Sequence, residues 1–167
     1  WDKKIIPLCN KINSLENYYT NSSCSGRIIL MVDQEKKGEG LFKFITHEKI
    51  KIDDLKKEIK KILDSKEKRD IKLKTEPPII HITCFNFNDA KKLAILSNLS
   101  GFKKTGLISF DRKIVLEISS GEKIELPIIK KGKILIEEKF LKIILENSNK
   151  KLESSWKKIK KLEKNLS

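Results

Sequence analysis

Residues 22–27, Ser22-Ser23-Cys24-Ser25-Gly26-Arg27, gather three hydroxyls, a thiol, a glycine and a guanidinium directly ahead of the aliphatic run Ile28-Ile29-Leu30. Consecutive backbone N–H groups with hydroxyls form a nest for an anion, and an adjacent arginine supplies the matching charge. A carboxylate or a phosphate is the ligand such a cradle takes. A serine-rich surface turn uses the same residues, and composition does not separate the two. Cys24 is a nucleophile by type, but the stretch lacks the longer Cys-to-Arg loop of a phosphatase, and packing is the commoner fate of a small cysteine. The two histidines, His47 and His81, suit general-base work near neutral pH or contact with a nucleobase. Neither has a carboxylate or cysteine at metal-ligand spacing. Residues 101–106, Gly101-Phe102-Lys103-Lys104-Thr105-Gly106, set positive charge between two glycines, which either opens room for a ligand or ends a helix and starts a strand. Phosphate-loop, dinucleotide and nucleophile-elbow fingerprints are absent.

The chain of 167 residues carries 37 Lys and Arg against 23 Asp and Glu, a net charge of +14. Only Arg27, Arg69 and Arg112 are arginines. Lysine gives diffuse attraction to polyanions and arginine gives fixed bidentate contacts, so each arginine is more informative than any one lysine. The basic excess suits a phosphate backbone as partner, and equally an AT-rich genome or the lysine enrichment of hyperthermophiles. No apolar run approaches the ~18 residues of a membrane span. Cys9, Cys24 and Cys84 form no CxxC pair and are odd in number, which argues against a disulfide framework or a zinc site and for a reducing cytoplasm. The chain opens on Trp1, so an upstream segment is expected.

Periodicity supplies the elements that must hold these groups. A short helix is expected over Ile5–Ile12, then a polar segment with Tyr18 and Tyr19. Strands follow over Arg27–Val32 and Leu41–Thr46, joined by a turn through Asp33–Gly40. Ile52, Leu55, Ile59 and Ile62 give a helix ending near Asp64. Residues 71–76 and 79–85 read as strands separated by Pro77-Pro78. Asn88 is expected to cap a helix that Gly101 stops after Ser100. Strands over 105–110, 113–119 and 123–129 precede a lysine-rich helix from about 137 to 165. The fold class is α+β: a mixed, largely antiparallel sheet, barrel-like in one version, with flanking helices and not Rossmann. Strand–helix–strand–strand occurs twice in this order, as an internal β-α-β-β duplication would give.

In sequence order, YYTNSSCSGRI (18–28), THE (46–48), EPPIIHI (76–82), GFKKTG (101–106) and ENSNKKL (146–152) resemble the tRNA wybutosine-synthesising methyltransferases, the third enzyme family of that pathway. The resemblance runs from Asp2 to about Leu162, and an archaeal member is expected. It implies one methyltransferase domain over 1–167. The implied reaction transfers a methyl group from S-adenosylmethionine to the N(4) ring nitrogen of 4-demethylwyosine, beside the anticodon of tRNA-Phe in the cytoplasm, without metal or membrane. Ser22, Ser23, Cys24, Ser25, Gly26 and Arg27 match the motif taken to bind the cofactor. His81 and His47 are the candidate bases. Tyr18, Tyr19, Glu76, Lys103, Lys104, Gly106 and Asn147 are the candidate substrate contacts, with the tyrosines stacking on the base. Pro78 stands where an aromatic is expected, Thr105 where serine is usual, and Phe42 for an aromatic that precedes the histidine. Lysines of 50–61 and 150–164 are expected to track phosphates. The alternative is a non-catalytic basic tRNA-binding module or partner subunit. A third reading makes Cys24 a nucleophile.

Overall fold

In Ile71–Glu76 the residues Ile71, Leu73 and Thr75 are buried, while Lys72, Lys74 and Glu76 between them stay partly exposed. That period of two marks a strand with one face on a core. The computed structural model describes residues 2–34, 38–65 and 67–166, and part of the turn expected at Asp33–Gly40 lies outside them. In chain order the described elements are α1 (Ile6–Asn13), β1 (Tyr18–Cys24), β2 (Arg27–Val32), β3 (Phe42–Thr46), α2 (Ile52–Asp64), β4 (Ile71–Glu76), β5 (Ile79–Cys84), α3 (Phe87–Leu99), β6 (Lys104–Ser109), β7 (Ile114–Ser119), β8 (Ile124–Lys130), β9 (Lys133–Ile134) and α4 (Glu138–Asn165). The fold is α+β. Its strands form two antiparallel sheets, not the one expected, and neither closes into a barrel.

The chain divides into two compact units, each built from separate stretches of sequence. The first unit takes residues 2–26, 77–122 and 153–166, with strand order β1-β5-β7-β6. One face of this sheet turns Ile80, Ile82, Leu116 and Ile118 into a core completed by Leu8 and Ile12 of α1, Leu93 of α3, and Ile159 and Leu162 of α4. His81, Thr83 and Glu117 alternate with those residues, so they point to the opposite, open face. Helix α3 starts at Asn86, whose side chain accepts from the Asp89 N–H at 2.9 Å, and not at the expected Asn88. The earlier asparagine is extended and leaves Phe87 and Asn88 inside the first turn. The helix closes with Gly101 at φ 102°; Gly101 N–H donates to the Asn98 carbonyl and Phe102 N–H to that of Ser97. This is a Schellman stop, and it drives Phe102 into the core.

The second unit takes residues 27–76 and 123–152, with strand order β3-β2-β4-β8-β9. Helix α2 buries Leu55, Ile59 and Ile62 on one stripe, with Asp53 and Asp54 in its first turn to match the positive helix end. Thr75 of β4 donates to Ser148 of α4 at 2.8 Å, and Lys56 of α2 pairs with Glu138 at 2.8 Å. Asn149 accepts from the Ile50 N–H and donates to the Ile50 carbonyl, fixing the segment before α2.

Two of the four crossings between units carry a local marker. Gly26, at φ 98°, lets the chain turn from β1 into β2, and Pro77-Pro78 end β4 before β5 begins. The recurrent strand–helix–strand–strand order is therefore not two successive halves: β4 and β5, adjacent in sequence, enter different sheets.

Candidate active site

The polar stretch Tyr18–Cys24 is a strand although only Thr20 within it is buried. It owes its place to β5, with which it pairs along its length. Regular alternation would put Ser22 on the core side with Thr20. A bulge between them leaves Asn21 without a partner of its own, and Ser22 then stands opposite His81 on the open face. The bulged residue is held: Asn21 Nδ2 donates to Thr83 Oγ1 at 2.9 Å.

This register writes a line of polar groups across the sheet. Ser22 Oγ lies 2.8 Å from His81 Nδ1, and His81 Nε2 lies 2.9 Å from Glu117 Oε2. The next residue in the row, Gly106 of β6, pairs with Glu117, and a Cβ added there would meet nothing within 4 Å. A carboxylate accepts only, so in the neutral imidazole Nε2 carries the proton and Nδ1 accepts from the Ser22 hydroxyl. Glu117 was invisible to motif reading. Its signal was a lone carboxylate inside the aliphatic strand Ile114–Ser119.

Tyr19 and Lys104 share the open face by register, opposite Thr83 and Ser119, and Tyr19 is well exposed. Tyr18 is placed otherwise: its ring packs on the core and its hydroxyl donates to the Asp89 carbonyl at 3.1 Å. Burial, then the Asp89 charge, raises its pKa. Ser25 is fully buried, its N–H donating to Asp2 Oδ2 at 2.9 Å, while its hydroxyl has no partner among the described residues. Ser23 is half-buried beside the Cys9 thiol, and burial of that thiol raises its pKa. Cys24 is half-buried. Lys103 donates to the Asn98 carbonyl at the end of α3.

In the second unit Arg27 and Glu76 are cross-strand partners, joined from Nε to Oε2 at 2.8 Å. The guanidinium lies over the Phe42 ring, 5.5 Å from its centre. Nη1 and Nη2 make no hydrogen bond among the described residues, which leaves a donor pair for a ligand anion. Burial alone would raise the Glu76 pKa, but Arg27 and then Lys74, 3.0 Å from its other oxygen, hold it below the usual range. His47 follows β3 in a bend of this unit. Asn147 is exposed on α4 and donates back to Ile143.

The antiparallel α+β scaffold lies outside the Rossmann class; its first unit carries the Ser–His–Glu line and its second the half-engaged arginine. The sequence profile of the methyltransferase TYW3 family matches residues 1–167, and the chain belongs to that family. A relative from Archaeoglobus fulgidus is 35% identical over 168 residues, which cover 99% of this chain and 82% of its own. One from Methanocaldococcus jannaschii is 35% identical over 155 residues, 90% and 78% of the two chains. Both bear the name tRNA(Phe) 7-((3-amino-3-carboxypropyl)-4-demethylwyosine(37)-N(4))-methyltransferase. A solved structure of a Pyrococcus horikoshii protein superposes with TM-score 0.90 at 32% identity, covering 98% of this chain and 82% of that one. An Aeropyrum pernix protein, 23% identical, shares the fold at TM-score 0.83, with 99% and 96% coverage.

Proposed function

We propose that this protein methylates the N(4) ring nitrogen of a 4-demethylwyosine-type base next to the anticodon of tRNA(Phe). The observation that carries the reading is kinship, at 35% identity over nearly the whole chain, to a relative that bears this enzyme name. That name adds an aminocarboxypropyl group to the 4-demethylwyosine expected from sequence, and the decorated base is the acceptor proposed here. The methyl donor is S-adenosylmethionine, which supplies an activated methyl on a sulfonium sulfur.

The residues of the serine motif suit the donor's amino-acid end. In the first unit a buried Ser25 hydroxyl without a partner among the described residues and the backbone opened by Gly26, and in the second unit the Arg27 Nη pair that makes no hydrogen bond among them, are each unspent polar capacity of the kind a carboxylate takes up. Ser22, Ser23 and Cys24 complete that motif. The acceptor nitrogen must lose a proton as it gains the methyl. Ser22 Oγ takes that proton while passing its own to His81 Nδ1, and Glu117 holds the imidazole. His47 is the second candidate base. Tyr19 stacks on the base, and Gly106 leaves it room. Glu76, Lys103, Lys104 and Asn147 remain the proposed substrate contacts, Glu76 by holding Arg27. Residues 1–167 are proposed as one methyltransferase domain acting in the cytoplasm; among the described residues no helix is long and apolar enough to cross a membrane.

The test is to incubate the protein and S-adenosylmethionine with tRNA(Phe) carrying the demethylated precursor, and to analyse the nucleosides by mass spectrometry. One added methyl, lost in the Arg27→Ala variant, is the expected result. Bound tRNA without a methyl gain would favour the non-catalytic tRNA-binding module.

A further inference from the structure

Phe85, Phe87 and Phe110 are the most exposed of the phenylalanines, at 80, 56 and 69%. All three line one groove of the first unit, together with Thr83, Arg112 and Lys113. They come from separate places: Phe85 directly after β5, Phe87 in the first turn of α3, and Phe110 in the turn between β6 and β7. Phe85 is positioned, since its N–H donates to the Asn17 carbonyl at 2.9 Å and prolongs the pairing of β5 with β1. Thr83, which shares the groove, faces the same open side of the sheet as His81. Thr83 stands two residues from His81 on β5, about 7 Å along an extended strand.

The charge in the groove is as selective as its rings. Of the three arginines, Arg27 is bound to Glu76 and Arg69 is clamped by both oxygens of Glu67. Arg112 has no carboxylate partner among the described residues. Asp111 is the one acidic residue of the lining. Exposed aromatic rings beside an unspent guanidinium fit unpaired nucleotides, whose bases stack on any π-face and whose phosphates accept from arginine. An apolar protein surface would use the rings and strand the cations.

We infer that this groove is an RNA subsite that stacks unpaired nucleotides flanking the acceptor base, with Arg112 on their phosphate. The inference rests on the tRNA reading above.

The test pairs a location with kinetics. Anticodon stem-loop RNA carrying 5-iodouridine beside the acceptor position is irradiated with the protein, and crosslinked peptides are mapped. Affinity and methyl transfer on precursor tRNA(Phe) are then compared for wild type, Phe85→Ala/Phe110→Ala and Arg112→Ala, with circular dichroism confirming folding. The expected result is crosslinking to Phe85, Phe87 or Phe110. The double variant then binds about tenfold or more weakly, with KM raised and kcat kept. Unchanged affinity and KM in folded variants that still methylate would overturn the subsite and leave the enzyme standing. If those variants instead lose self-association, the groove belongs to a second copy of the chain, which also overturns it. Crosslinking at the groove with no methyl gain would support the subsite and overturn the methyltransferase reading. Absence of RNA binding by the wild type would overturn both.

Discussion

Nε2 of His81 stands 2.9 Å from Oε2 of Glu117, and the two are cross-strand partners on β5 and β7. In the neutral imidazole the carboxylate fixes the proton on Nε2 and hence the accepting role of Nδ1 toward Ser22. Removing the imidazole with His81→Ala should lower kcat by about 10²-fold or more. Glu117→Gln keeps the shape but offers an amide that donates as well as accepts. It should lower kcat by about tenfold with KM for tRNA unchanged, the mark of a residue acting only in the transition state. Steady-state kinetics of both variants check this, and a change confined to KM would assign the row to substrate binding instead.

Two glycines should separate stability from activity. Gly101 has φ 102°, and a Cβ there would stand 3.2 Å from side-chain carbons of Lys158. Gly101→Ala should therefore cost about 1 kcal/mol or more in urea denaturation. Gly106 sits in open space next to Glu117, so Gly106→Val should keep or slightly raise stability. It should nevertheless depress kcat/KM by standing where the acceptor base is proposed to lie. Equal activity in Gly106→Val would move the base off this row.

Helix α2 shows what a sequence makes plain. Its stripe of Ile52, Leu55, Ile59 and Ile62 repeats at helical spacing, and the helix runs over Ile52–Asp64 as that spacing predicts. Strand β1 shows the opposite. Tyr18–Cys24 has no apolar alternation to read, because its stability comes from pairing with a strand some sixty residues away. The bulge at Asn21 changes which face Ser22 occupies, and no local pattern encodes that. For the same reason the partnership of Ser22, His81 and Glu117 was hidden: it is a fact of register between three strands. The assignment of β4 and β5 to different sheets was not legible either, since a proline pair ends a strand without saying where the next one goes.

Acid should weaken the second unit. Lys123 and then Lys72 hold Glu125 at a pKa of about 2, below its ordinary 4.5. A carboxylate depressed in the folded state contributes stability above its unfolded pKa and loses it as pH falls through the folded value. The Tm should therefore be flat above about pH 5 and fall between about 4.5 and 2, a window set by this shift. Glu125→Gln should flatten that part of the curve. An unaltered slope in the variant would place the acid sensitivity elsewhere.

The three thiols should react unequally. Burial, reinforced by the Asp89 charge, pushes Cys84 up to about 11, and burial also raises Cys9. Only the thiolate is alkylated, so iodoacetamide at pH 8 should mark half-buried Cys24 first in the native protein, read by peptide mass spectrometry. Cys24→Ser should keep methyl transfer. Its loss would revive the reading of Cys24 as a nucleophile.

Helix α4 gives residues to both units: Leu141, Leu145 and the Ser148 partner of Thr75 to the second, Ile159 and Leu162 to the core of the first. During synthesis these 28 residues follow every described strand out of the ribosome. Until they emerge, neither sheet has its full helical cover, and aliphatic strands such as Arg27–Val32 wait with one face exposed. Each unit therefore closes its core only through contacts between segments far apart in sequence.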